Sequence, residues 1–313
     1  TDWIKRMTNP SGNQAANYVG RFAPSPTGPL HFGSLLAAIA SYLDARANKG
    51  RWLVRMEDLD PPREPPGAAE LILEQLTLFG LEWDGDVLYQ STRLSAYAEA
   101  LQQLTDAGHC YACMCTRPDV RAMGNVYNGH CRHANLPANA DAAIRIKTSP
   151  RDIAIEDAIQ GRYKTELASQ CGDFIIRRKD GLFAYQLAVV VDDEFQQVTD
   201  IIRGYDLLDS TPRQLFLQEL LHYRRPRYGH IPVIVDAAGE KLSKQSFADA
   251  IDAKRSRELT HMVLNLLGQA PPPLSDFATN AAQLQWAVQH WDIQSVPKLV
   301  NIPLVDANQA NSR

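Results

Sequence analysis

Strand-like and helix-like segments alternate in the first third of this 313-residue chain, and this alternation is the feature that most restricts its fold. A β-type run at 18–22 (YVGRF) is followed by helical periodicity at 34–48, a strand-type run at 52–56, and helical patterns at 67–79 and 94–107. Strands that alternate with helices form parallel sheets, because two parallel strands need a long crossover connection. The pattern therefore predicts an α/β fold with a doubly wound, Rossmann-type parallel sheet.

The alternation is interrupted between 109 and about 178 and then resumes. Further strands are expected at 183–191 (FAYQLAVVV), 198–202 and 231–235, with a helix near 213–223. From Asp236 onward the pattern is helical, and no strand is expected. The expected units are a loosely held extension at 1–17, a first half of the sheet domain at 18–108, an inserted subdomain at 109–178, a second half at 179–235 and a helical domain at 236–313.

Composition removes several classes of function. The 32 basic and 36 acidic residues give a net charge of −4 with histidine neutral, so any nucleic-acid contact has to come from a local basic face. No apolar run approaches the ~20 residues of a membrane span, and the first residues lack the apolar core of a signal peptide. We therefore expect a cytoplasmic protein without a membrane partner.

The segment PSPTGPLHFGS at 24–34 has the features of a phosphate-binding turn. Its prolines and glycines fix a tight crossing and let backbone amides approach a ligand closely. The helix that follows presents unpaired amides and the positive end of its dipole, which stabilise phosphate. His31 at this mouth could donate a hydrogen bond to a phosphate oxygen. The alternative is a proline-rich loop without a ligand.

A second candidate phosphate clamp is KLSKQ at 241–245, after a predicted strand and a turn that contains glycine. Lys241 and Lys244 are three residues apart, so their ammonium groups can reach one face of an anionic ligand. The alternative for so short a segment is a solvated surface turn.

Five segments resemble the class I glutamyl-tRNA synthetases in order and spacing: RFAPSPTGPLHFGS, RMEDLD, GLEWDGD, QSTRLSAY and KLSKQ. HFGS corresponds to the His-Ile-Gly-His signature of that family, and KLSKQ to its Lys-Met-Ser-Lys-Ser signature. Two residues depart from the family pattern, because Ser34 replaces the second histidine and Gln245 replaces the last serine. The transition state therefore has fewer donors than is usual in the family.

The resemblance covers about residues 18–250 and implies the class I catalytic fold, with ATP as a substrate together with Mg²⁺. It implies catalytic roles for His31, Lys241 and Lys244. It also implies that ATP is bound by His31, Gly33, Ser34, Lys241, Ser243 and Lys244.

Charged residues follow three predicted strands at the edge where ligands of open α/β sheets bind, namely Arg21, Glu57 and Arg203. An amino acid with two carboxylates and one ammonium calls for cations and one anion, and arginine can donate two parallel hydrogen bonds to a carboxylate. The alternative is an internal Arg–Glu ion pair. The resemblance implies a glutamate pocket formed by Arg21, Phe22, Ala23, Pro24, Ser25, Glu57, Tyr185 and Arg203. We assign Glu57 to the α-ammonium and the arginines to carboxylates, without deciding which arginine takes which carboxylate.

Four of the five cysteines lie close together in the inserted segment, which indicates a metal site in a reducing compartment. Cys113, Cys115 and Cys131 suit tetrahedral Zn²⁺, which favours sulfur ligands. Spacing leaves the fourth ligand open between Cys110, Tyr127, His130 and His133, and the resemblance points to Tyr127. We expect one structural zinc per chain, since the segment has little core of its own. The alternative is a set of buried free cysteines.

The segment HYRRPRYGH at 222–230 interleaves arginines with two tyrosines, a pattern that can meet phosphate and stack on bases. Its three arginines are Arg224, Arg225 and Arg227. The alternative is a solvated helix end.

Within the synthetase family the chain is most similar to the shortened glutamyl-queuosine branch. Only 69 residues follow Lys244, and a separate anticodon-reading unit would need roughly 50 or more beyond the helices that contact the tRNA stem. The resemblance implies activation of L-glutamate to glutamyl-adenylate and transfer to queuosine at the wobble position of tRNA(Asp), and we expect the activation step to need no tRNA.

Three alternatives to this function stay open. A minimal glutamyl-tRNA synthetase would charge tRNA(Glu) instead. A non-catalytic, zinc-stabilised RNA-binding module would need neither His31 nor Lys244. A nucleotidyltransferase with a related His-x-Gly loop would explain neither Glu57 nor the cysteines.

Overall fold

The computed structural model describes residues 18–137, 141–236, 239 and 251–304, and a parallel β-sheet lies at its centre. The strands are β1 Val19–Phe22, β2 Arg51–Met56, β3 Leu88–Tyr89, β4 Cys110–Cys113, β5 Ala143–Ile146, β6 Asp152–Asp157, β7 Gly161–Glu166, β8 Ile175–Arg177, β9 Asp200–Gly204, β10 Arg227–Ile231, β11 Val233–Val235 and β12 Asn301–Pro303. The α-helices are α1 Phe32–Ala47, α2 Ala68–Leu78, α3 Leu94–Asp106, α4 Arg117–Ala122, α5 Leu167–Gln170, α6 Tyr185–Phe195, α7 Thr211–Leu220, α8 Ser256–Leu266 and α9 Asn280–His290.

The central sheet is assembled from both halves of the chain. β1 pairs with β2 and β2 with β3, all in parallel, and β9 pairs in parallel with β10. The amide of Thr199 donates to the carbonyl of Val19 over 2.9 Å, which places β9 beside β1 in the order β3-β2-β1-β9-β10. The predicted α/β fold with a parallel sheet is confirmed. The carboxyl ends of β1, β2 and β9 consequently meet at one edge of the sheet.

Helix α1 packs along this sheet through an apolar face that the sequence predicts. Leu35, Leu36, Ile39 and Leu43 recur at helical spacing and are at most 1% exposed. The side chain of His31 caps the helix by accepting a hydrogen bond from the amide of Ser34. The position of His31 is thus fixed by its capping role as well as by the turn before it.

The prediction of a strand at 183–191 is wrong, because residues 185–191 belong to α6, which begins at Tyr185. Leu187 to Val191 are all buried, so the helix has no polar face along this stretch. A short run that is apolar on every side looks the same in a buried strand and a buried helix. The alternative interpretation of 222–230 as a solvated helix end is likewise wrong for its second half, because residues 227–230 belong to β10.

The inserted segment forms its own antiparallel strands beside the central sheet. β4, β5 and β8 form one antiparallel sheet, and β6 and β7 form a hairpin. Buried side chains of β5, β6 and β8 share a core with residues of α3, α6 and α7. The insertion therefore packs on helices α3, α6 and α7.

Residues 251–304 contain α8, α9 and one strand that the sequence analysis did not expect. α8 and α9 pack against α1, and β12 pairs in parallel with β11, with Asn301 opposite Val233. Asp44 near the end of α1 accepts a hydrogen bond from the indole of Trp291 over 2.9 Å, which ties this region to the sheet domain. Across the described ranges, no helix is both long and apolar enough to cross a membrane.

Candidate active site

A cavity of about 560 Å³ opens at the carboxyl ends of β1, β2 and β9. Its walls include the predicted glutamate-pocket residues Arg21, Phe22, Ala23, Pro24, Ser25, Glu57, Tyr185 and Arg203, together with His31, Gly33 and Ser34 of the predicted ATP site. Residues separated by up to 182 positions in sequence thus line one space. The other predicted ATP-site residues, Lys241, Ser243 and Lys244, lie outside the described residues.

The turn at 24–34 and the first residues of α1 form one wall of the cavity. The Nδ1 atom of His31 accepts from the Ser34 amide over 3.2 Å, and its Nε2 atom lies 3.0 Å from the Ser34 hydroxyl. A Cβ atom at Gly33 would lie 3.2 Å from the His31 ring, so a larger residue would displace that ring. Ser34, which departs from the family signature, therefore contacts the histidine that is retained.

The chain on either side of the KLSKQ segment reaches the same cavity. Ile234 of β11 lines the cavity wall. The amide of Ile251 donates to the carbonyl of Leu30, the residue before His31, over 3.2 Å. The segment that carries the two lysines is therefore connected at both ends to residues at or beside the cavity.

Arg21 is held at the cavity wall by a buried carboxylate that the sequence analysis missed. Arg21 is 4% exposed, and its Nε donates to Asp193 of α6 over 3.2 Å. Arg55 of β2 donates to the same carboxylate over 2.8 Å and to Glu57 over 3.3 Å. The alternative of an internal Arg–Glu ion pair therefore applies to Glu57, which pairs with Arg55, whereas Arg21 pairs with Asp193.

The pKa values of Asp193 and Glu57, the two acids that contact these arginines, shift in opposite directions. Burial opposes ionisation of Asp193, but the charges and hydrogen bonds of Arg21 and Arg55 hold its pKa below the usual value. For Glu57, burial raises the pKa although both arginines act against the shift. The sequence analysis does not assign Arg55 or Asp193 to the site. Each is a charged residue inside an apolar run, RWLVRM for Arg55 and AVVVDDEF for Asp193, and this is the pattern that could have indicated them.

Arg203 and Tyr185 line the cavity from β9 and from the first turn of α6. Arg203 is 4% exposed, and its Nη2 donates to the Thr211 hydroxyl over 2.8 Å. The pKa of Tyr185 is raised by burial and by the nearby charge of Glu57. Two guanidinium groups, those of Arg21 and Arg203, and two carboxylates, those of Glu57 and Asp206, therefore border a single cavity. The two arginines together with Glu57 supply the charge set that an acidic amino acid requires.

The predicted zinc ligands come together in the inserted segment. The Sγ atoms of Cys113, Cys115 and Cys131 all lie within 4.8 Å of one another, the one His/Cys/Asp/Glu group of this kind found across the described residues. The Tyr127 hydroxyl lies 3.3 Å from the Cys113 sulfur and 3.7 Å from the Cys115 sulfur. Three sulfurs and one phenolic oxygen at such distances fit a tetrahedral Zn²⁺.

The alternatives for the fourth ligand are less well placed. Cys110 lies outside the group of three thiols, at the first residue of β4. His130 and His133 are exposed and contribute no atom to that group. Tyr127 is 3% exposed, and its oxygen accepts from the Cys131 amide over 2.9 Å. Of the candidates that spacing left open, Tyr127 has the geometry of a ligand.

Neighbouring residues fix the geometry of the cysteine cluster. Burial opposes ionisation of Cys131, yet hydrogen bonds led by the one from Tyr127 lower its pKa to about 7. The guanidinium of Arg145 lies over the Tyr127 ring at 3.8 Å and donates to the Cys113 sulfur over 3.2 Å. A Cβ atom at Gly172 would lie 2.1 Å from the Tyr127 carbonyl oxygen, so only glycine allows this approach.

The segment proposed to contact RNA is more buried than its composition suggests. Tyr228 is 2% exposed, so the expectation that both tyrosines are available for stacking is wrong. Arg227 pairs with Asp200 and Asp44, and Arg225 donates to the carbonyl of Ala154. Arg224, like Arg225 and Arg227, is exposed, so the arginines of this segment still fit a phosphate contact.

A family model described as tRNA synthetases class I (E and Q), catalytic domain, matches residues 18–282. A protein of Pseudomonas aeruginosa named glutamyl-Q tRNA(Asp) synthetase is 51% identical over 288 residues, which are 92% of this chain and 98% of that protein. A protein of the same name from Neisseria meningitidis is 52% identical over 290 residues, with 90% of this chain and 98% of that protein covered. A solved glutamate tRNA ligase of Elizabethkingia meningosepticum matches with a TM-score of 0.77 at 24% identity, over 92% of this chain and 67% of that one, and supports the fold.

Proposed function

Since this chain belongs to the class I tRNA synthetases of the glutamate and glutamine type, we propose that it activates L-glutamate with ATP and transfers it to the queuosine base of tRNA(Asp). The names of relatives about 50% identical over nearly their whole length support the substrate. The observation that carries the proposal is the single cavity that holds Arg21, Glu57 and Arg203 beside the first turn of α1.

Glutamate is bound, in this proposal, by the charges that the protein already holds in place. Arg21 and Arg203 take the two carboxylates, and Glu57 takes the α-ammonium. Phe22, Ala23, Pro24 and Ser25 form the adjoining wall, and Tyr185 borders it from α6. Because Asp193 and Arg55 fix Arg21 and Glu57 before any ligand arrives, little side-chain ordering opposes binding.

ATP binds over the first turn of α1, where the amides and helix dipole stabilise phosphate. His31, Gly33 and Ser34 form this side, and Lys241, Ser243 and Lys244 complete it. The resemblance of KLSKQ to the Lys-Met-Ser-Lys-Ser signature supports this role for the lysines. Mg²⁺ bound with ATP supplies further positive charge, so that catalysis consists mainly of positioning and charge neutralisation.

The reaction proceeds in two balanced steps. A glutamate α-carboxylate oxygen forms a bond to the α-phosphorus of ATP, the bond from that phosphorus to the bridging oxygen breaks, and pyrophosphate leaves. A hydroxyl of the queuosine cyclopentene ring then attacks the activated carbonyl carbon. The bond to AMP breaks, the hydroxyl proton passes to water, and an ester of glutamate on the tRNA is the product.

We also propose that Cys113, Cys115, Tyr127 and Cys131 hold one structural Zn²⁺. The mutual distances of the three sulfurs and the Tyr127 oxygen support this donor set. A site closed by four protein ligands offers no position for water or substrate, so the metal contributes folding free energy rather than chemistry.

The decisive experiment follows labelled glutamate with ATP on three RNAs: tRNA(Asp) with queuosine, tRNA(Asp) without it, and tRNA(Glu). We expect label only on the first, at a position that periodate treatment of the queuosine ring destroys. Label on the 3′ end of tRNA(Glu) would identify a minimal glutamyl-tRNA synthetase instead. Absence of glutamate-dependent ATP–pyrophosphate exchange would favour a non-catalytic RNA-binding module.

A further inference from the structure

The guanidinium of Arg203 is fixed by a buried histidine, His230, that does not line the cavity. Its Nε donates to Nε2 of His230 over 3.1 Å, and its Nη2 donates to the Thr211 hydroxyl over 2.8 Å. Its Nη1 is buried and has no hydrogen-bond partner among the described residues. An unpaired buried donor is costly, which leaves Nη1 as the nitrogen available to a substrate carboxylate.

The contacts of His230 fix which of its ring nitrogens carries the proton. His230 lies on β10, is 0% exposed, and has Nδ1 2.5 Å from the Asp157 carboxylate. Arginine nitrogens can only donate, so Nε2 of His230 must accept from Arg203. The ring proton therefore lies on Nδ1 and is donated to Asp157, and the imidazole is neutral.

Asp157 belongs to the inserted segment, where it ends β6. It is 5% exposed and accepts hydrogen bonds from the amides of Ile159, Gln160 and His230, at 3.0, 2.9 and 3.1 Å. The Gln160 side chain donates to the carbonyl of His230 over 2.7 Å. The β6–β7 hairpin therefore contacts His230 through both its ring and its backbone.

We propose that Asp157 and His230 are positioning residues that orient Arg203 for a glutamate carboxylate, an inference that rests on the proposed function of the cavity. The two cavity arginines are then held in different ways. Arg21 forms an ion pair with Asp193, whereas Asp157 acts on Arg203 only through a neutral ring. The insertion, which lies outside the central sheet, thereby contributes to recognition of the amino acid.

Two substitutions at one position separate orientation from folding. In His230→Asn the amide nitrogen takes the place of Nδ1 and still donates to Asp157, but no acceptor takes the place of Nε2 beside the Nε atom of Arg203. In His230→Gln an amide oxygen can take the place of Nε2 and accept from Arg203. In glutamate-dependent ATP–pyrophosphate exchange we expect His230→Asn to raise KM for glutamate by about tenfold or more, with kcat and KM for ATP within about twofold.

We expect His230→Gln to recover most of the affinity for glutamate. Asp44→Asn is the matched control, because Asp44 is a 1% exposed carboxylate with several partners at the opposite end of α1. It should lower the melting temperature and leave KM for glutamate unchanged. An unchanged KM in His230→Asn, or an equal rise in His230→Gln and Asp44→Asn, would overturn the proposal.

A spectroscopic measurement on the unmodified protein covers the case in which His230→Asn does not fold. ¹⁵N-histidine spectra, assigned by the resonance lost in His230→Gln, should show His230 protonated on Nδ1 and unprotonated on Nε2. A proton on Nε2 of His230 would overturn the proposal, because that nitrogen could then not accept from Arg203. If the unmodified protein shows no glutamate-dependent ATP–pyrophosphate exchange, the proposed function fails. The spectra still decide whether His230 donates to Asp157 and accepts from Arg203.

Discussion

The cavity and the cysteine cluster are both small polar sites, but the chain assembles them in opposite ways. Arg21 and its partner Asp193 are 172 positions apart, and Arg55 reaches the same carboxylate across 138 positions. The cysteine cluster draws its four proposed ligands, three cysteines and Tyr127, from residues 113 to 131. The cavity is therefore a product of the whole fold, whereas the cluster is a local loop structure.

The two sites also differ in how much buried structure surrounds them. Buried helices and strands on both sides of the central sheet hold the cavity charges in place. Cys113, Tyr127 and Cys131 form a small separate cluster with only a few partly buried apolar neighbours. From this difference we expect damage to the cavity to appear as lost activity with metal content intact, and damage to the cluster to appear as lost metal and lost stability.

Arg21→Ala should produce the largest effect. It removes a proposed carboxylate partner, and we expect kcat/KM for glutamate in ATP–pyrophosphate exchange to fall by about 100-fold or more, equivalent to ~2.7 kcal/mol. Stability should fall as well, because Asp193 loses one of two buried cations. Zinc content should not change, and a fall of less than tenfold would remove Arg21 from the proposed pocket.

Arg93→Ala is the matched control for that variant. Arg93 pairs with Asp192, the neighbour of Asp193 on α6, over 3.1 Å, but it does not line the cavity. We expect a lower melting temperature with an unchanged KM for glutamate. Equal losses of exchange in both arginine variants would mean that the effect of Arg21 is structural.

Cys115→Ser should have the next largest effect, on metal and stability. Loss of a ligand forfeits folding free energy that the metal supplies. We expect the bound zinc to be lost and the melting temperature to fall by roughly 4 °C or more, as expected for ~2 kcal/mol in a chain of this size. Cys110→Ser is the control, since Cys110 lies outside the cluster. This variant should keep its zinc. Equal zinc content in the two variants would contradict the metal site.

The next effect in size concerns the ion pairs of Asp193 with Arg21 and Arg55, which should make the stability of the protein depend on pH. The pKa of Asp193 is lower in the folded protein than in the unfolded chain, where it is ordinary. Its contribution to stability is therefore complete above the ordinary value of 3.8 and is lost as the pH falls through the folded value. In urea unfolding at a series of pH values, Asp193→Asn should be less stable at neutral pH and lose less stability in acid. If the free energy of unfolding of the unmodified protein and of Asp193→Asn changed with pH in parallel, the result would contradict the ion pairs of Asp193.

Added tRNA should have the smallest effect. Because Arg21, Glu57 and Arg203 are held by protein groups alone, activation of glutamate should not wait for RNA to arrange them. We expect nuclease-treated enzyme to catalyse ATP–pyrophosphate exchange, and purified tRNA(Asp) to change the rate by less than about tenfold, or ~1.4 kcal/mol. Strict dependence on tRNA would show that the cavity is incomplete without it.

The features that sequence predicts best are those with local signals. The periodicity of α1, the turn that precedes it and the spacing of the cysteines are each contained within a few tens of residues. α6 was missed because a helix buried on all sides lacks the polar face that marks helical period. Strand β12 was missed because three residues carry too little pattern to separate from a loop.

Within the cavity, the sequence predicts the charged residues at the carboxyl ends of the strands, but not the groups that hold them. Asp193 supports Arg21, and His230 supports Arg203, through contacts that no spacing in the sequence reveals. A charged residue inside an apolar run shows that a buried partner must exist, but it does not identify that partner. The role of KLSKQ stays a prediction, since the segment lies outside the described residues.

The span between Arg21 and Asp193 also has a consequence for biosynthesis. At about 5 to 20 residues per second, the ribosome adds Asp193 roughly 10 to 35 seconds after Arg21. During that interval β1 and β2 carry two arginines whose shared buried anion has not yet been made. Nascent chains that stop before α6 should therefore leave this pair of strands open to protease or chaperone, and pairing of the two arginines with Asp193 should follow the emergence of α6 from the exit tunnel.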